Sequence, residues 1–221
     1  MLLLLIHGIS IFFMRMDEKI DLQALWNSFL DGDNKAFAGI YYTFINSLLS
    51  YGKKLTKDKE LLGDSIQEVF TDLYIKRSKP FVHIDNLKAY LFIAVRNNIL
   101  KKLIHNHKFE VDSNLENIPD RFQVEYNFED QWINNEISEE TSLRLNLAIT
   151  NLSPGQKEVI YLRFEEGLNY QEISKVLGIT PESARKQLYR ALLSLRHVIG
   201  NEKIYILLII FIKKDKESCP H

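Results

Sequence analysis

The sequence predicts an all-α protein: two small helical domains joined by an acidic flexible linker. Three observations carry that prediction. Apolar residues recur at helical rather than strand spacing, a run of negative charge separates two such stretches, and the second stretch contains a short helix, a tight turn and a longer basic helix.

Leu22, Leu25, Trp26, Phe29 and Leu30 fall at i, i+3, i+4, i+7 and i+8, one apolar stripe. Asp31-Gly32-Asp33 breaks it, and Phe37, Ile40, Phe44 and Leu48 open the next. Leu62, Ile66, Val69, Phe70 and Leu73 form a third stripe, and Pro80 closes that section. Leu87, Leu91, Ala94 and Val95 form a fourth, after a cap expected at Asp85. No stretch alternates convincingly with period two, so residues 17–108 read as the first domain. The character changes at His105. Residues 105–142 hold ten acids against Lys108 and Arg121, a net of −8, with weak periodicity and one proline. Residues 109–142 are therefore expected to be a flexible linker. His105 and His107 lack a third ligand and read as its polar start. The second domain is expected over 143–200, with a tail over 201–221.

Bulk composition narrows the function. Hydrophobic residues make 46% and charged residues 26% of the chain, and net charge is −1. Any nucleic-acid surface must then be a local patch. Cys219 is the sole cysteine, which excludes a disulfide framework and a cysteine-based zinc site and fits a reducing cytoplasm. No nucleophile–base pair, phosphate loop or metal cluster appears, so the expectation is a non-enzyme with no cofactor, no metal and no small-molecule substrate. Leu2–Phe13 is apolar but broken by His7, Gly8 and Ser10. A bilayer needs roughly 20 apolar residues, and residues 1–16 read as a mis-called start or a disordered leader, with Met14 and Met16 both offering later starts. Ile204–Ile212 is nine apolar residues. As a helix it would span roughly 14 Å, half a membrane; packing on its own domain or in a partner's groove is expected.

The helix–turn–helix lies in "YQEISKVLGITPESARKQLYRALLSLR". Ile173, Val176 and Leu177 bury one face of the first helix. Gly178 permits the turn, Ile179 plugs it, Thr180 caps the next helix and Pro181 takes its first position. Ala184, Leu188, Ala191, Leu192 and Leu195 cluster on one side of the second helix. Glu182, Lys186 and Tyr189 lie opposite, flanked by Ser183 and Arg190 on one side and Arg185 on the other. Arg and Lys there can meet phosphates or guanine, and Glu can accept from cytosine. In the first domain, "GDSIQEVFTDLY" puts Asp64, Gln67, Glu68, Thr71 and Asp72 on one polar face; alone, that reads as a solvated surface. Residues 76–108 carry eight basic side chains against Asp85, a net of +7, interleaved with Phe81, Tyr90, Phe92, Asn97 and Asn98. Cations mixed with rings and amides suit single-stranded DNA, phosphates on the cations and bases against the rings.

Taken in order, "FLDGDNKAF", "DSIQEVFTDLY", "NLKAYLFIAVRNNIL" and "LSPGQKEVIYLRFEEGLNYQEISKVLGITPESARKQLYRALLSLR" resemble an extracytoplasmic-function (ECF) sigma factor, a small two-domain RNA polymerase subunit of the sigma-70 family. The resemblance covers about residues 20–105 and 143–198. It implies that the two domains are a sigma region 2 helical bundle and a sigma region 4 helix–turn–helix. It places Asp64, Gln67, Glu68 and Phe70 on the helix that docks on core RNA polymerase. It gives the melted −10 strand to the stretch Lys79–Asn86 and to Lys88, Tyr90, Arg96 and Asn97. It gives −35 duplex recognition to Thr180, Glu182, Ser183, Arg185, Lys186, Tyr189 and Arg190. It also implies an anti-sigma factor partner, a cytoplasmic protein held at the inner membrane by that partner, and a linker threading toward the polymerase active centre. One departure is Leu62-Gly63, where family members more often carry Ala-Glu; it bears on where the docking helix starts. The alternative is a stand-alone helix–turn–helix repressor or activator, and binding to core polymerase without DNA separates the two.

Overall fold

The computed structural model describes residues 21–77, 86–110, 122, 144 and 147–199, and every regular element among them is helical. Helix α1 (Leu22–Leu30) starts at Asp21, whose carboxylate accepts from the backbone of Gln23 and Ala24. Gly32, at φ 106°, turns the chain into α2 (Asn34–Leu55), which Asp33 caps through Lys35 N–H. Asp58 caps α3 (Lys59–Lys76) by accepting from Glu60 and Leu61. The cap fixes the start of α3 well ahead of Leu62-Gly63, so that departure from the family pattern sits inside a continuous helix. For α4 (Leu87–Glu110) Asn86 Oδ1 accepts from Ala89 N at 3.0 Å, while Asp85, where the sequence suggested a cap, lies outside the described residues. Asn86 stands three residues before Ala89, the spacing that lets a cap side chain reach an orphan N–H of the first turn.

Three apolar stripes bury largely as the spacing predicts. Ile40, Phe44 and Leu48 of α2 meet Leu62, Ile66, Val69, Phe70 and Leu73 of α3, with Leu91 and Val95 of α4, in one core. The first stripe is narrower than predicted. Trp26 and Phe29 are buried, but Leu22 and Leu30 are 37% and 38% exposed at the two ends of a nine-residue helix.

Helix α5 (Pro154–Ile160) opens the second helical unit with Ser153 and Gln156 in a reciprocal capping box. It runs into a π-helical turn, Tyr161–Glu165. Asn169 and Glu172 form a second capping box at the head of α6 (Tyr170–Leu177). Gly178 takes the left-handed conformation, φ 67°, that the turn requires. Helix α7 (Pro181–Ile199) follows, with Thr180 Oγ1 accepting from Ser183 N at 3.1 Å.

The two units pack on each other, α4 against α6. At their junction Tyr51 lies 5.0 Å from Phe92, 5.8 Å from Tyr161 and 5.8 Å from Phe122, ring centre to ring centre. Phe122 comes from the stretch expected to be linker and is 1% exposed, so the chain is anchored at that point. Most of the acidic segment, the leader 1–16 and the tail with Ile204–Ile212 lie outside the described residues. Among the described residues no helix is long and apolar enough to cross a membrane.

Candidate nucleic-acid interface

Helix α7 presents one face to solvent. Ala184, Leu188, Ala191 and Leu195 are buried against α5 and α6, which leaves Glu182, Arg185, Lys186, Tyr189 and Arg190 exposed. Glu182 sits between two cations, 3.6 Å from Lys186 Nζ and 3.8 Å from Arg185 Nη1. These side chains are about 60% exposed, so such pairs contribute little and yield readily to a phosphate. Arg185 lies over the ring of Tyr170 at 5.4 Å, and Arg163 lies over the same ring at 5.3 Å. Arg163 also donates to Leu168 O at 3.0 Å. Tyr170 thus restrains Arg185 beside the start of α7, a role that no pattern in the sequence marks. Thr180 and Ser183 are engaged with each other: the Thr180 hydroxyl donates to Ser183 Oγ at 2.9 Å. Ser183 is half-buried.

In the first unit Asp64 and Gln67 rim a groove of about 450 Å³ between α2 and α3. Its apolar wall is Phe37, Tyr41, Ile45 and Phe70, with Tyr41 edge-on to Phe70 at 4.9 Å. Phe70 is 4% exposed and offers a wall rather than a protruding ring. Glu68 points elsewhere. It accepts from Asn98 Nδ2 at 2.8 Å and pairs with Lys102 Nζ at 2.9 Å on α4. Those two donors hold its carboxyl below the ordinary carboxylate range.

The residues expected to hold single-stranded DNA divide into two groups. Lys79 lies outside the described residues, as does Phe81. Tyr90 and Asn97 lie on one side of α4. Asn97 lines a shallow concavity of about 440 Å³ with Leu100, Lys101, Ile104 and His105. Tyr90 approaches Lys76, whose ammonium it helps to hold above its ordinary value, with Asp72 adding to the effect. Asn86, Lys88 and Arg96 face the second unit instead, each against a glutamate. Asn86 Nδ2 donates to Glu172 Oε1 at 2.6 Å, Lys88 Nζ lies 2.9 Å from Glu166 Oε2, and Arg96 Nε donates to Glu158 Oε1 at 2.9 Å. The Lys88 contact is a charge pair without hydrogen-bond alignment. Tyr51 donates to the same Glu158 oxygen at 2.6 Å, and Tyr161 donates to Glu166 at 3.0 Å. Burial first, and the Glu158 charge second, push the Tyr51 hydroxyl well above its usual value. Phe92, which looked like a base platform, is fully buried beside Tyr51. Glu158, Glu166 and Glu172 escaped the sequence reading because their partners across the junction lie 62 to 107 residues away.

The family model "Sigma-70, region 4" matches residues 142–195, the segment that includes α5, the π turn, α6 and most of α7. The ECF RNA polymerase sigma factor SigM of Bacillus subtilis (strain 168) is 28% identical over 152 residues, 69% of this chain and 88% of that protein. Helical elements throughout the described residues, a capped helix–turn–helix with an exposed polar face, and these two likenesses agree: residues 142–195 form a sigma-70 region 4 segment, and the chain as a whole is similar to an ECF RNA polymerase sigma factor.

Proposed function

We propose that this sigma factor directs promoter recognition with one protein surface and two DNA surfaces. The α2–α3 groove, rimmed by Asp64 and Gln67, docks on core RNA polymerase. The basic segment of the first unit, Lys79 to Asn97, holds the melted −10 strand. Helix α7 reads the −35 duplex, with Glu182 and Lys186 toward bases and Arg185 and Arg190 on phosphates. Duplex contact positions the complex, and capture of unstacked bases offsets the cost of melting, a few kcal/mol per base. The protein makes and breaks no covalent bond. It acts in the cytoplasm in response to an extracytoplasmic signal, and an anti-sigma factor holds it at the inner membrane until then.

The observation that carries this reading is the solvent face of α7: five polar or basic side chains on a capped helix whose opposite face is locked into the core. The groove adds an apolar wall with a polar rim, the anatomy of a protein-docking surface. A pull-down with core polymerase tests the assembly. Asp64→Lys with Gln67→Ala should abolish capture while leaving helicity intact. Unchanged capture rejects the docking surface.

A further inference from the structure

The solvent stripe of α7 changes character halfway along. Glu182 and Lys186 occupy its first turns, and the same stripe continues through Tyr189 and Leu193, which are 66% and 51% exposed. At about 3.6 residues per turn these four positions line one side of the helix. Leu188 and Leu195, on the other side, are buried, so the core of the second unit is complete without the exposed pair. Base reading uses the N-terminal part of a recognition helix, which leaves Leu193 without a role there. Among the described residues no other two large exposed apolar side chains stand one turn apart on a helix. We propose that the tail segment Ile204–Ile212, which lies outside the described residues, docks on Tyr189 and Leu193 in cis, running back along the C-terminal half of α7 as an antiparallel helix.

Helix α7 runs to Ile199, and Gly200-Asn201 follows, the residue types that end a helix in the left-handed conformation. Four residues, 200–203, separate that end from nine consecutive apolar residues, an ordinary length for a helix–helix connection. With both helices rising about 1.5 Å per residue, a run that starts abreast of Ile199 extends back to about Ala191. Leu193 then lies beneath the run, Tyr189 lies within one further turn, and Lys186 and Glu182 lie beyond its reach. Size and tether both favour the tail as occupant. A stable interface between two chains buries roughly 800 Å² on each, far more than two side chains offer, so the pair suits one short helix better than a second copy. A short tether holds the run at an effective concentration on the order of mM, above that of a separate partner at micromolar concentration. Nine apolar residues left in water would form a contiguous patch that single chains rarely expose. Docking moves Tyr189 from the base-reading set to the seat of the tail and leaves Glu182 and Lys186 open to DNA.

The test is a cysteine cross-linking walk on the full chain in a Cys219→Ser background. Leu193→Cys is paired in turn with a cysteine at each position from Ile204 to Ile212 and oxidised at low protein concentration. A disulfide needs Cα atoms within about 7 Å, so a docked helix bonds from one of its faces only. Ser194→Cys, exposed and one position on, points about 100° round α7 and supplies the control. Within single chains, rates with Leu193→Cys should peak every third or fourth position along the run. At the peaks they should exceed those with Ser194→Cys by ~10-fold. Rates that are flat along the run, or equal for the two anchors, overturn the proposal. A preference for Leu193→Cys found only in cross-linked dimers also overturns it and assigns the patch to a second copy. Amide hydrogen exchange over 204–212 is a second measurement that needs no added cysteine. Tyr189→Ser with Leu193→Ser should speed that exchange by ~10-fold, with exchange in α5 and α6 unchanged. Protection that survives both serines overturns the docking, as does its absence from the wild-type chain. Protection that appears only with phosphatidylglycerol vesicles assigns the run to a lipid surface and overturns it as well.

Discussion

Leu62 packs directly on Gly52, where an added Cβ would collide with Leu62 Cδ1 and press on Ile99 Cδ1 at 3.3 Å. Both leucine and isoleucine are buried, so neither can swing clear. Gly52→Ala should cost about 1–3 kcal/mol, read as a lower urea midpoint with unchanged slope. The family departure at position 62 is thus matched by a glycine on the facing helix, a pairing that sequence spacing does not reveal. Tyr170 is the second telling residue. Two guanidiniums share its ring, and such contacts are worth about 0.5–1 kcal/mol at exposed sites. Tyr170→Leu should weaken duplex promoter binding by roughly 2- to 5-fold, converting that energy range, while Tyr170→Phe keeps the affinity. Equal losses in both variants would show that the hydroxyl, not the ring face, matters.

Asn86 shows how one side chain serves two elements. Its carbonyl oxygen caps α4 through Ala89, and its amide nitrogen donates to Glu172 on α6. Asn86→Asp keeps the cap and sets a carboxylate against Glu172. Asn86→Ala loses both, and losing a cap costs about 1 kcal/mol. Thermal unfolding should therefore fall for Asn86→Ala and hold closer to wild type for Asn86→Asp, whereas energy transfer between dyes on the two units, at Lys57→Cys and Lys175→Cys in a Cys219→Ser background, should drop in both. Matched melting losses would mean the cap contributes little. At this scale the sequence was most legible. The five positions of α3 that the spacing picked out are all buried, with Leu61 and Ser65 beside them, and Thr180, Pro181 and Gly178 each take the place their backbone chemistry assigned. The failures share one cause. Leu22 and Leu30 satisfy the period of α1, yet the helix is too short for its ends to reach the core. Phe92 carries the residue type of a binding face, yet it is claimed by a neighbouring helix that local periodicity cannot see.

For the whole molecule, two helical units in order were readable from the charge break and the two patterned stretches, but their docking was not. It depends on pairs such as Tyr51 with Glu158, 107 residues apart, which no local pattern marks. That junction should also respond to pH. The Tyr51 hydroxyl is held above its ordinary value of 10.0, so the stability it lends is complete below pH 10 and lost as pH rises beyond it. Alkaline titration of the dye-labelled chain should show the units separating above pH 10, with that component missing from Tyr51→Phe; identical profiles would contradict it. The central claim is that this chain programs core polymerase for promoter-specific initiation, and start-site sequencing of transcripts made on bare genomic DNA by core polymerase plus the purified chain tests it most directly. The account predicts discrete start sites that share an upstream duplex element and a −10 element, absent with core polymerase alone, and Glu182→Ala with Lys186→Ala relaxing the upstream element only. Start sites no different from those of core polymerase alone would contradict it.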